Sequence, residues 1–168
     1  MASKRASATA IALGGVMAAL AVVVMNLGGL IPVATYVCPA FCMVVLQMVV
    51  KTCGSRIGWA WYGAVAILSL LMAPDKEAAA VFAALGYYPI LKPKLDRRKG
   101  KWLWKLLLFN GVILVLYWLL LKVIGMEQLV SEFSEMGVAL TAVTLLLGNV
   151  TFILLDRLLG MGSVKRKV

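Results

Sequence analysis

The stretch ASATAIALGGVMAALAVVVMNL, residues 6–27, decides the fold predicted for this chain. Small residues recur along it at a helical spacing of four, so they share one face of a helix. This row comprises Ala6, Ala10, Gly14 and Ala18, and it is reinforced by Ala8, Ala12, Gly15 and Ala19. In a bilayer, a face with so little side-chain bulk lets another helix approach closely. The pattern predicts either close packing within the chain or a docking face for a partner protein.

The composition outside this stretch indicates an integral membrane protein. Hydrophobic residues make up 63% of the 168 residues, and the mean hydropathy is +0.98. Ordinary soluble domains are closer to half apolar, and the long uncharged runs have the length of membrane spans. The first run is longer than the apolar region of a typical signal peptide, and further spans follow it, so we expect it to stay in the membrane.

The apolar runs predict six transmembrane helices in a single membrane domain over 1–168. Their ranges are 7–27, 33–50, 57–73, 75–91, 103–124 and 138–159. The fourth is short for a span, and Gly86 and Pro89 weaken its end, so a re-entrant or tilted element is the alternative. Between the last two spans, apolar residues at helical spacing over 125–137 predict a short interfacial helix.

Charge predicts the orientation of these spans. With the N-terminus inside, 15 of the 17 Lys and Arg residues fall on the cytoplasmic side, and only Lys76 and Lys122 fall outside. Five of the seven acidic residues fall outside. This alternation predicts a multi-pass protein with both termini on the cytoplasmic side. The excess of cations therefore indicates retained loops that contact anionic lipid heads, and not a nucleic-acid partner.

The residue types argue against catalysis. The chain contains no histidine, which removes the commonest general base and metal ligand. No Ser–His pair, phosphate-binding glycine loop or metal-ligand spacing is visible. Cys38, Cys42 and Cys53 lack the C-x-x-C spacing and are interpreted as small packing residues. We expect neither an enzyme nor a cofactor or metal site.

A few polar residues within or beside the spans are candidates for binding a small molecule in the outer half of the membrane. The candidate substrate-binding residues are Asn26, Tyr36, Lys76, Glu77 and Tyr117. Lys76 and the positive end of the fourth helix would form a clamp at the mouth of the site. The alternatives are hydrogen bonding between helices for the buried residues and simple capping of the fourth helix for the segment 75–77.

The chain resembles the substrate-binding S-components of energy-coupling factor (ECF) transporters. That family carries an Ala-x-x-x-Ala docking motif on its first helix, which Ala6-x-x-x-Ala10 and Ala8-x-x-x-Ala12 match. The resemblance implies an S-component-like six-helix bundle in a prokaryotic plasma membrane that binds a vitamin or similar micronutrient. It also implies partners, namely a transmembrane coupling subunit and ATPases, with Ala6, Ala10, Gly14 and Ala18 as docking residues. The alternative is a small membrane scaffold or accessory subunit without a transported ligand.

Overall fold

The computed structural model describes residues 2–28, 34–97, 100–119, 122 and 138–161. Regular structure in these ranges is helical, as predicted: residue 122 is π-helical, and the other elements are α-helices. The helices are α1 (Ala2–Gly28), α2 (Ala34–Cys53), α3 (Ser55–Met72), α4 (Lys76–Leu85), α5 (Tyr88–Leu95), α6 (Lys101–Leu119) and α7 (Val138–Met161). The interfacial helix predicted over 125–137 lies outside the described residues.

Four segments of these helices are long and apolar enough to cross a membrane. They are Ala8–Gly28, Thr35–Cys53, Ser55–Met72 and Lys101–Leu119. Large apolar side chains on them face outward, and Val16 and Leu107 are each more than 60% exposed. Exposed apolar surfaces of this extent are favourable in contact with lipid and unfavourable in contact with water. The protein is therefore an all-helical membrane protein.

The chain forms two compact units, an N-terminal unit (Met1–Arg98) and a C-terminal unit (Lys99–Val168). In the N-terminal unit, α1, α2 and α3 pack side by side in alternating directions. The Cys53 thiol at the end of α2 donates to the Ala10 carbonyl near the start of α1, at 3.2 Å. Midway along the pair, the Cys42 thiol donates to the Ala21 carbonyl. All three cysteines are free thiols within this packing.

The segment predicted as one helix over 75–91 is divided into α4 and α5, with a turn at residues 86 and 87. Pro89 explains the missing helical hydrogen bond at the division, and Gly86 lets the turn pack closely against α4. Pro89 has no backbone N–H to donate to the carbonyl of Leu85. Gly86 lies against the ring of Phe82, where an added Cβ would come within 2.9 Å of a ring carbon. The span predicted here remains a prediction, and it would consist of two short helices.

The C-terminal unit contains α6 and α7, which pack against each other. Phe109 of α6 stacks on Phe152 of α7 with ring centroids 4.5 Å apart. α6 begins two residues before its predicted start, at Lys101, and α7 ends two residues after its predicted end, at Met161. The described part of α6 ends at Leu119, and its predicted end at 124 lies outside the described residues.

Candidate functional site

The candidate substrate-binding residues of the N-terminal unit lie at one end of its helices, called here the acidic end because it carries Asp75 and Glu77. Thr35, at the start of α2, donates its hydroxyl proton to Asp75 Oδ2 at 2.7 Å. The other carboxylate oxygen of Asp75 accepts the backbone N–H of Ala78 at 2.9 Å and so caps α4. One carboxylate therefore joins two helix starts, and the capping expected for this segment is observed.

Tyr36 and Glu77 are brought together by the structure. The Tyr36 hydroxyl donates to Glu77 Oε1 at 3.0 Å, although the two residues are 41 positions apart in sequence. Tyr36 is about half exposed, so this bond lies at the surface of the acidic end. Glu77 also lies in the first turn of α4, where its charge interacts favourably with the helix dipole.

Lys76 points back towards α3. Its ammonium group donates to the carbonyl oxygens of Leu70 and Leu71, at 3.0 and 3.3 Å. These carbonyls belong to the last turn of α3, where no further helical N–H groups are available to donate to them. Lys76 therefore caps the C-terminus of α3, so a ligand clamp at this residue would require the ammonium group to leave these carbonyls.

The other two predicted residues are Asn26 and Tyr117. Asn26 lies near the end of α1, and its amide donates to the carbonyl of Val22 one turn earlier, at 2.8 Å. Tyr117 lies on α6, in the C-terminal unit. An apolar groove on α6 is lined by residues other than Tyr117, namely Leu103, Leu106, Leu107, Asn110, Gly111 and Leu114.

The opposite end of the N-terminal unit carries cations, and it is called here the cationic end. Lys51 and Arg56 flank the turn between α2 and α3, and both are exposed. The contact between Cys53 and Ala10 places the start of α1 beside this turn. Opposite charges thus occupy opposite ends of the same helices, which is the separation expected when apolar helices cross a bilayer.

The small residues of α1 divide into two rows with different surroundings. Gly14 is buried, and a Cβ added there would lie 3.5 Å from Ile57 of α3. Ala10 and Ala18 are partly buried on the same side, while the side chain of Ala6 lies outside the described residues. Gly14 therefore packs within the chain, and docking through this row stays a prediction. The exposed row comprises Ala8, Ala12, Gly15 and Ala19.

An ion pair inside the C-terminal unit is not among the contacts predicted from the sequence. Lys105 Nζ lies 3.0 Å from both carboxylate oxygens of Asp156, and the two residues are 2% and 4% exposed. The predicted ranges place Lys105 at the start of the fifth span and Asp156 near the end of the sixth, and they indicate no contact between the two. The sequence feature that could have indicated this pair is Asp156 itself, an acidic residue within the last apolar run. Charges are rare in such runs and are usually paired.

Comparisons of the chain with protein-family models, with curated proteins and with solved structures found no match. The geometry described above is therefore what supports a functional assignment.

Proposed function

We propose that this chain is the substrate-binding membrane subunit of an ECF-type uptake transporter. In this proposal six helices span a prokaryotic plasma membrane, with both termini in the cytoplasm. A small molecule such as a vitamin binds at the acidic end, which faces outward, and a transmembrane coupling subunit with its ATPases docks near the cationic end.

The observation that carries the proposal is the presence of separate inner and exposed small-residue rows on α1. At 100° per residue, the exposed row is turned roughly 140° away from the inner row around the helix axis. A Cβ added at Gly14 would meet α3, whereas a Cβ added at Gly15 would have no neighbour within 4 Å, so internal packing explains only the inner row. The exposed row contains Ala8-x-x-x-Ala12, which matches the docking motif of S-components, and it starts beside the cationic end.

The proposed ligand site uses the exposed bond between Tyr36 and Glu77. A ligand with a hydrogen-bond donor can bind the Glu77 carboxylate, and the Tyr36 hydroxyl can then turn towards the ligand. Thr35, Asp75 and Lys76 position this pair, because they join the ends of α2, α3 and α4. Asn26 remains a proposed contact of this site, whereas Tyr117, which is predicted as a contact from the sequence, belongs to the C-terminal unit.

Replacing Gly15 with Trp tests the docking surface, and the same change at Gly14 is the matched control. We expect Gly15→Trp to keep the thermal stability of the wild type in detergent, because the added ring extends outward. The variant should no longer co-purify with a coupling subunit and two ATPases, identified by mass spectrometry. Gly14→Trp should instead lower the melting temperature, because the ring collides with α3. A stable Gly15→Trp protein that retains the complex would refute the docking proposal.

An accessory membrane subunit without a transported ligand is the second candidate. It is favoured by one observation: Asn26, Tyr36 and Lys76 all form hydrogen bonds within the chain, so these groups are satisfied without a ligand. Native mass spectrometry separates the two candidates. A small molecule that co-purifies with the wild type and is lost from Glu77→Gln supports uptake, whereas a ligand-free protein that still binds its partner supports the accessory role.

A further inference from the structure

Because α6 is apolar on several sides, more than one of its faces could pack against α7. Trp102, Leu103 and Val115 are exposed by 40%, 72% and 65%, and at 100° per residue they point in different directions around the helix. In lipid, one leucine-rich face is about as good a packing surface as another. The apolar residues alone therefore do not determine which face of α6 meets α7, or at what axial offset.

Polar and aromatic side chains supply three consecutive contacts between the two helices. Lys105 pairs with Asp156, and Phe109 stacks on Phe152 one helical turn further along. Next to them, Asn110 and Asn149 exchange two amide hydrogen bonds of 2.9 and 3.0 Å. The residue numbers rise on α6 as they fall on α7, so the helices are antiparallel and all three contacts belong to one register.

The ion pair is the contact that discriminates most strongly between registers. A slip of one helical turn would move Lys105 about 5.4 Å along the axis relative to Asp156 and break their contact. Separating two charged groups that are buried together costs far more than separating two neutral amides. Each asparagine amide also donates to a carbonyl of its own helix, so the amides lose only part of their hydrogen bonding in a slip.

We propose that the Lys105–Asp156 pair is a register lock that selects one face and one axial offset for the α6–α7 hairpin. The Asn110–Asn149 pair supports the same register, and the stacked phenylalanines fill the space between the two polar contacts. This proposal does not depend on the proposed transport function, because it concerns the conformation of the C-terminal unit alone.

Distance measurements between spin labels test the lock in the full chain. The three native cysteines are replaced by alanine, and labels are attached at Leu103→Cys and Leu146→Cys, which are both more than 60% exposed. In the observed register these two sites lie several turns apart along the helix axes, so an axial slip changes the distance between them. Double electron–electron resonance in lipid nanodiscs then reports the distance distribution. We expect one narrow distribution for the protein with Lys105 and Asp156 intact.

Two variants that leave no unpaired charge decide the question. The apolar variant Lys105→Met/Asp156→Met should show additional distances, because slipped or rotated pairings no longer separate charges. The exchanged variant Lys105→Asp/Asp156→Lys should restore one narrow distribution, because the pair is re-formed. Arg157→Met is the matched control, since Arg157 is the exposed neighbour of Asp156, and it should change nothing. A single unchanged distance in the apolar variant, or several distances in the exchanged variant, would overturn the lock.

Discussion

Tyr62 of α3 donates its hydroxyl proton to the carbonyl oxygen of Ala83, close to the point where α4 ends. The last carbonyls of a helix have no N–H partner in the following turn, and here a tyrosine from a neighbouring helix supplies one. The Tyr62 ring also contacts Phe82 and Tyr87, with ring centroids 5.9 and 6.1 Å away. A single side chain, that of Tyr62, therefore contacts both the end of α4 and the turn that precedes α5.

Removing the Tyr62 hydroxyl should destabilise the N-terminal unit. Tyr62→Phe keeps the ring contacts but leaves the Ala83 carbonyl without this donor, at a cost of about 1 kcal/mol. Thermal unfolding in detergent measures the change. Tyr87→Phe is the matched control, because its hydroxyl makes no hydrogen bond to the residues that the structure describes. Equal effects of the two substitutions would show that the Tyr62–Ala83 bond does not stabilise the protein.

Alanine substitutions at two glycines of α3 should have different effects on the stability of the protein. At Gly58 a Cβ would lie 2.5 Å from Cγ2 of Val50, whereas at Gly63 nothing lies within 4 Å. Gly58→Ala should therefore destabilise the α2–α3 contact by roughly 1–3 kcal/mol. Gly63→Ala should be neutral or stabilise by up to about 1 kcal/mol, because alanine is the better helix former. Unfolding midpoints of the two variants in one detergent make the comparison, and equal midpoints would contradict it.

Asp75 should contribute more to stability than Thr35. Asp75→Ala removes both the cap of α4 and the bond to α2, with an expected loss of about 1–2 kcal/mol. Thr35→Val removes only the second of these interactions, so its effect should be smaller. In the double variant the two effects should not add, because both single changes break the same Thr35–Asp75 bond. Strict additivity in a double-mutant cycle would contradict the coupling.

Substitutions of Lys76 test whether this residue stabilises the protein by capping α3. Lys76→Met should lower the stability of the ligand-free protein by about 0.3–1 kcal/mol, because the last carbonyls of α3 lose a cationic donor. Lys76→Arg keeps a donor and should retain most of that stability. If Lys76→Met leaves the melting temperature unchanged, the contacts with Leu70 and Leu71 contribute nothing measurable, and the residue remains available for a ligand.

The sequence predicts the helices well where composition alone controls them. The span ranges near 7–27, 33–50 and 57–73 match α1, α2 and α3 to within a few residues except at the start of α1, because uninterrupted apolar runs favour helices in lipid. The cap at Asp75 is also predictable, since Pro74 and the acidic residues after it are a local signal that needs no distant partner. The division between α4 and α5 is less visible, because one glycine and one proline weaken a helix without marking its exact end.

The candidate site shows the limit of sequence patterns more clearly. Tyr36 and Glu77 are both predicted as polar residues on the outer side, but their hydrogen bond depends on how α2 packs beside α4. Lys76 is predicted as a clamp, yet its reach to α3 depends on the turn between the two helices.

The sequence by itself determined that the chain forms apolar helices, that small residues line α1 and that charges separate along the chain. Only the tertiary structure decided that Gly14 packs inward while Gly15 is exposed, and that Lys105 meets Asp156. The physical reason is that hydrophobicity and helix propensity act locally, within a few turns. Which face meets which neighbour depends on shape and on charge pairs between residues far apart in the chain, such as the 51 positions that separate Lys105 and Asp156.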